Sequence, residues 1–265
     1  MVDAHPAPSL YRPLPFTRGD FGIDQNRVLV GKPLREFVSV TQAWGATLEL
    51  QGLDAGAWAT LASATLADAE SAGAWMETPA TDATGDATYR YRVTRGETEV
   101  ISPARVLRHV NPRDYTGLAA EAYALIKPIR PDTVIDVVPG SIVSTMNPST
   151  VAHAHQGYDR MELSDMLAEG GAARSDFKTV VLHELGHLIQ WDAYGGNAGL
   201  MSDHLTAVYG PALPLERSAD CLMELWGGLE PGNHFPYFEG ERKACAESLA
   251  RLEPYWASTL GPPAT

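Results

Sequence analysis

Apolar and polar residues alternate with a period of two through much of the first 108 positions. In Leu48-Glu49-Leu50-Gln51 and again in Tyr89-Arg90-Tyr91-Arg92-Val93 one face is apolar and the other polar or charged, the signature of half-buried strands. Similar runs at Phe37–Thr41, Trp58–Ala64 and Glu97–Ser102 are separated by turn-rich stretches such as Asp82-Ala83-Thr84-Gly85-Asp86. Short strands at this spacing predict a small β-sandwich over 35–108. Residues 1–34, rich in proline and turn formers, read as an extended arm with one short strand at Arg27–Val30. Residues 109–114 read as a linker.

Beyond the linker the period changes. Residues 115–127 read as a helix ended before Pro128, and Val134-Ile135-Asp136-Val137-Val138 as a strong strand. Met161–Leu163 is a candidate edge strand. Helices are expected at about 176–191, with Ser175 or Asp176 as N-cap, at 214–226, where Pro214 suits the first turn and Gly227 the exit, and at 240–258. The expected class is therefore α+β, a β-sandwich module followed by a domain at 115–265 that pairs a short sheet with helices.

The helix expected over 176–191 carries the most specific chemistry. His183 and His187 sit at i and i+4 and so lie one above the other on one helix face, where both imidazoles can reach one metal ion. Glu184 stands at the edge of that face, within reach of water at the metal. Phe177, Val180, Val181, Leu185, Leu188 and Ile189 form an apolar stripe, and Gly186 allows another backbone to come close. A catalytic zinc needs a third protein ligand. No histidine follows closely after His187. On the next helix Glu216 and Asp220, again at i and i+4, can supply a ligand and a carboxylate that fixes the tautomer of a ligating histidine; Asp220 as the ligand is the alternative.

His183-Glu184-Leu185-Gly186-His187 followed by Glu216-Arg217-Ser218-Ala219-Asp220 resembles the gluzincin metallopeptidases of the thermolysin-like clan, over roughly 175–228. The resemblance implies a minimal zincin-like domain binding Zn2+ through His183, His187 and Glu216, with Glu184 as general base and Asp220 supporting a ligand. It also implies an edge strand that takes a peptide or protein substrate by strand addition. The 35–108 segment resembles bacterial immunoglobulin-like or fibronectin-like modules, carried by its Leu48-Glu49-Leu50, Ala57-Trp58 and Tyr89–Val93 strands.

An oxyanion donor is expected from Tyr194, His204, Tyr209, His234 or Tyr237, with His204 and Tyr209 favoured because their loop must cross the cleft. His153 and His155 share a strand face, but nothing nearby in sequence completes a ligand set. Two competing readings stay open: a non-catalytic protein that keeps a zincin scaffold, and a zinc hydrolase of non-peptide amides.

Charge and cysteine content narrow the partners. A net charge of −13 disfavours nucleic acid and anionic membranes, and no run is apolar enough to span a bilayer. The opening Met1-Val2-Asp3-Ala4-His5-Pro6 holds no signal-peptide core; a secreted protein whose leader has been removed is expected, with a cytoplasmic location as the alternative. Cys221 and Cys245 are the only cysteines, and a bridge between them would staple the helix that carries Glu216. Nothing in the sequence speaks to oligomeric state.

Overall fold

The computed structural model describes residues 8–11, 27–140, 151–155, 159–168, 176–229, 236–238 and 242–260. The chain divides into two compact units, Met1–Asp114 and Tyr115–Thr265.

The first unit is built of strands. These are β1 (Ser9–Tyr11), β2 (Arg27–Leu29), β3 (Arg35–Thr41), β4 (Thr47–Asp54), β5 (Ala57–Thr65), β6 (Ser71–Glu77), β7 (Gly85–Arg95), β8 (Thr98–Ile101) and β9 (Arg105–Val110). One sheet has the order β1-β3-β6; the other runs β2-β9-β7-β4-β5, with β8 against β7. The period-two alternation decides which side chains meet. Val38 and Val40 of β3, Met76 of β6, Leu48 and Leu50 of β4, and Tyr91 and Val93 of β7 pack in one core. The β4–β5 hairpin closes over Ala55 and Gly56, both at positive φ (46° and 85°), the backbone that a two-residue hairpin turn requires. Strands β1, β6 and β9 extend the predicted set. β9 occupies 105–110, so the supposed linker shortens to a 3-10 turn at Pro112–Asp114.

The second unit holds β10 (Val134–Val138), β11 (Ala152–His155) and β12 (Arg160–Ser164), and the helices α1 (Gly117–Ile126), α2 (Phe177–Ala193), α3 (Ala198–Tyr209), α4 (Pro214–Leu225) and α5 (Arg242–Leu260). β12 lies between its neighbours, parallel to β10 and antiparallel to β11. The segment expected as an edge strand is thus the central one, because β11 returns to pair with its open side; the edges are β10 and β11. One face of β12, Met161 and Leu163, joins the helical core. The other carries Arg160 and Glu162, both buried, with Arg160 bonded to Glu162 and 2.6 Å from Asp136 of β10. His155 of β11 reaches Glu162 at 3.1 Å, its ring stacked on His153.

Helix α2 is the axis of this unit. It buries Val181, Leu185 and Ile189 completely or nearly so and packs on α1, α4, α5 and β11. A Cβ on Gly186 would sit 2.9 Å from the Ala219 Cα. The missing side chain therefore lets α2 and α4 touch backbone to backbone, as expected of Gly186. Asp176 occupies the N-cap position of α2 without a side-chain capping bond, and Ser175 lies outside the described residues. A disulfide joins Cys221 of α4 to Cys245 of α5, with Cα atoms 5.1 Å apart. Helix α3, absent from the sequence reading, fills part of the stretch between α2 and α4, capped where Asn197 Oδ1 accepts from the Leu200 amide at 3.0 Å.

Candidate metal centre

The close crossing of α2 and α4 sets the site. The i, i+4 spacing on α2 brings His183 and His187 edge to face, ring centroids 4.9 Å apart. Glu216, in the first turn of α4, extends into the same space. Its Oε2 lies 3.0 Å from His183 Nε2 and 3.3 Å from His187 Nε2. Among the described residues these three are the only group of three or more histidine, cysteine or acidic side chains able to share a metal ion.

Both histidines present Nε2 because both Nδ1 atoms are occupied. His183 Nδ1 lies 2.8 Å from Asp220 Oδ1, and His187 Nδ1 lies 3.2 Å from Gln190 Oε1. The Gln190 amide is itself oriented, its Nε2 donating to the Leu215 carbonyl at 2.8 Å. An acceptor on Nδ1 fixes the tautomer that leaves a lone pair on Nε2, the outer support that ligating histidines use. Asp220 is fully buried, and its second oxygen accepts from the amides of Tyr237 and Phe238 at 2.6 and 2.8 Å. With both oxygens turned to His183 and to main-chain amides, Asp220 supports a ligand, and Glu216 is the carboxylate that faces both Nε2 atoms.

The electrostatics follow from the packing. Burial works against charge on His183, but Asp220 and Glu216 on its two nitrogens override it and push the imidazole of the side chains alone up to about 10. Burial would raise Glu216, yet hydrogen bonds from His183 and His187 hold its carboxyl far below the usual range. A polar set this charged and this buried fits a divalent cation, which would take the place of a proton between imidazole and carboxylate. A hard–borderline set of two imidazoles and one carboxylate suits zinc.

The other predicted residues fall in several places. Glu184 is partly exposed on α2 next to His183. His204 packs edge-on against Tyr194, and Tyr209 is buried with its ring against Phe238. Burial pushes the Tyr209 hydroxyl well above its ordinary value. The aromatic ring beside His183 is that of Tyr237, tilted against it at 5.5 Å between centroids, and Tyr237 is exposed. His234 lies outside the described residues. Gln190 was missed in the sequence reading, although its i+3 position from His187 places it on the neighbouring helix surface. No family model, curated protein or solved structure matches the chain.

Proposed function

We propose that the second unit is a zinc-dependent metallopeptidase of gluzincin type. The observation that carries this is the placement of one Glu216 oxygen against the Nε2 atoms of both histidines, each histidine locked from behind by an oxygen acceptor. His183, His187 and Glu216 would hold the zinc, which when bound would supply a Lewis acid for the scissile carbonyl and for water. Glu184, beside His183 and open to solvent, accepts the proton of the attacking water and hands it to the leaving amine. Tyr237 replaces His204 and Tyr209 as our choice of oxyanion donor: its phenol is partly exposed beside His183, whereas a buried hydroxyl such as that of Tyr209 cannot meet a substrate. Asp220 keeps His183 in position.

The substrate class is peptide or protein. A secreted setting agrees with the buried disulfide, and no helix among the described residues is long and apolar enough to cross a membrane.

Elemental analysis and cleavage of an unfolded protein by wild type, Glu184→Gln and Glu216→Gln test the reading together. Stoichiometric zinc is expected in wild type and Glu184→Gln, with cleavage reduced on the order of 10²- to 10⁴-fold in Glu184→Gln. Glu216→Gln should lose both metal and cleavage. Stoichiometric zinc retained by Glu216→Gln would remove Glu216 from the ligand set, and zinc without cleavage in wild type would end the peptidase reading.

A further inference from the structure

The two histidines of the metal centre are supported from different helices. Asp220 reaches His183 from α4, so one contact both orients that ring and ties it to the helix that carries Glu216. Gln190 stands on α2 itself, three residues after His187. An acceptor on the same helix orients the ring but by itself leaves α4 free to shift. The other end of the Gln190 amide removes that freedom. Its Oε1 lies 3.2 Å from His187 Nδ1, and its Nε2 donates at 2.8 Å to the carbonyl of Leu215, the residue directly before Glu216.

Both contacts come from one fully buried side chain. A primary amide in the interior costs stability unless its ends are bonded, and here the oxygen accepts and the nitrogen donates. The Leu215 oxygen has two lone pairs, so it can take this bond as well as one within its own helix. The helix crossing fixes the span. Gly186 and Ala219 bring the two backbones together. Gln190 follows Gly186 by one turn on α2, and Leu215 precedes Ala219 by one turn on α4, so the helices run antiparallel here and are joined at two levels. Methionine at 190 would offer neither strong bond, and asparagine, one methylene shorter, cannot span both partners.

We infer that Gln190 is a positioning residue that holds His187 and the first turn of α4 in one frame, so that Glu216 Oε2 meets His187 Nε2. The inference rests on the zinc reading above and adds that the support of His187 acts across the helix crossing, not on the ring alone.

The test uses the full chain loaded with Zn2+ and, in parallel, with Co2+. Competition with a chelator measures metal affinity, and proton NMR of the Co2+ form resolves the metal-shifted Nδ1–H signals of the ligating histidines. Wild type should show two such signals, both slow to exchange with solvent. Gln190→Met and Gln190→Asn should each lower affinity for both metals by roughly 10- to 100-fold and speed the exchange of one Nδ1–H signal while leaving the other. A packing role alone would lower the unfolding midpoint of the metal-free protein and leave affinity and both signals unchanged; that result would overturn the inference. So would wild-type affinity in Gln190→Asn, since one end of the amide would then suffice. If neither variant folds, the Co2+ wild type decides: two protected Nδ1–H signals support the bridge, and one that exchanges like a solvent-facing group removes it. A wild type that binds neither metal would end the zinc reading and this inference with it, whereas metal binding unaltered in the variants would end the role of Gln190 alone.

Discussion

The metal centre of the second unit and strand β9 of the first bury charge in opposite ways. In the second unit, the buried ionisable groups of the metal centre are matched: Asp220 spends both oxygens on His183 and two main-chain amides, and Glu216 faces two imidazoles. Behind the sheet, Arg160 lies between Asp136 and Glu162. On β9, Arg105 and His109 turn inward, and among the described residues neither the Arg105 Nη atoms nor the His109 ring nitrogens have a hydrogen-bond partner. A satisfied polar network holds one geometry, whereas an unsatisfied group keeps its desolvation cost until a ligand or a change of protonation relieves it. The contrast separates a preorganised centre from a region whose stability answers to solution conditions.

The sharpest way to break the contrast is to unmatch the metal centre. Asp220→Ala strands His183 Nδ1 and the amides of Tyr237 and Phe238 in the interior. Removing one partner of such a buried set costs on the order of 3–5 kcal/mol. Loss of a group that orients a ligand should lower metal affinity by roughly 10- to 100-fold as well. Chemical denaturation and a competitive chelator titration measure the two effects. Unchanged metal affinity in a folded Asp220→Ala protein would show that Asp220 does not orient His183 for a metal.

The disulfide comes next. Cys221 follows Asp220 directly, and its bridge to Cys245 closes a loop of sequence separation 24. Loop-closure entropy for a loop of that size corresponds to about 3.5 kcal/mol. The double variant Cys221→Ser/Cys245→Ser should lose stability of that order in the second unit and leave the first untouched, as read by hydrogen exchange resolved along the chain. Equal loss in both units would mean that the staple is not local.

What could be read in the sequence was what repeats along one element. The i, i+4 pairs on α2 and α4 and the alternation in β4 and β7 are local, and the structure builds helices and strands there. What could not be read depends on partners far away in the chain. Met161–Leu163 was legible as a strand, but its central place depends on β11 pairing with it. β6 begins Ser71-Ala72-Gly73-Ala74, residues with little strand preference, and gains its place from its register against β3. β9 hides its alternation because two of its inward positions, Arg105 and His109, are basic. In α3 the apolar spacing Met201, Leu205, Tyr209 was present, but the preceding Gly195-Gly196-Asn197 and the internal Gly199 favour a loop reading. Tyr237 could be named for its phenol, but the main-chain amide that it donates to Asp220 leaves no side-chain signature.

A subtler perturbation tests the close packing that makes the matched centre possible. In Gly186→Ala the added methyl meets Ala219 at its Cα, 2.9 Å away, and at its carbonyl oxygen, 3.1 Å away. These are backbone atoms and cannot swing aside, so α2 and α4 must separate by a few tenths of an ångström. Overpacking of this kind costs typically 1–3 kcal/mol. It also draws Glu216 and Asp220 away from His183, so metal affinity should fall together with stability. A loss of stability with metal affinity intact would show that the helix contact and the centre are independent.

The smallest effect belongs to the unmatched side and is a slope. Burial holds the His109 imidazole below its ordinary value of 6.5, because the charged form has no water around it. Between that lowered value and 6.5 the unfolded chain binds more protons than the folded one, so stability rises with pH across the window. The contribution is complete above about 6.5. It is lost as the pH falls through the folded value, where His109 must charge inside the first unit. Hydrogen exchange of the β7 and β9 amides, corrected for intrinsic rates, should therefore show protection declining as pH drops from 7 towards 5. His109→Leu keeps an apolar side chain of similar reach and has nothing to titrate, so its decline should be shallower while the metal centre shows no change. Identical slopes in the two proteins would mean that His109 already finds an acceptor in solution, and the contrast between the metal centre and β9 would then rest on Arg105 alone.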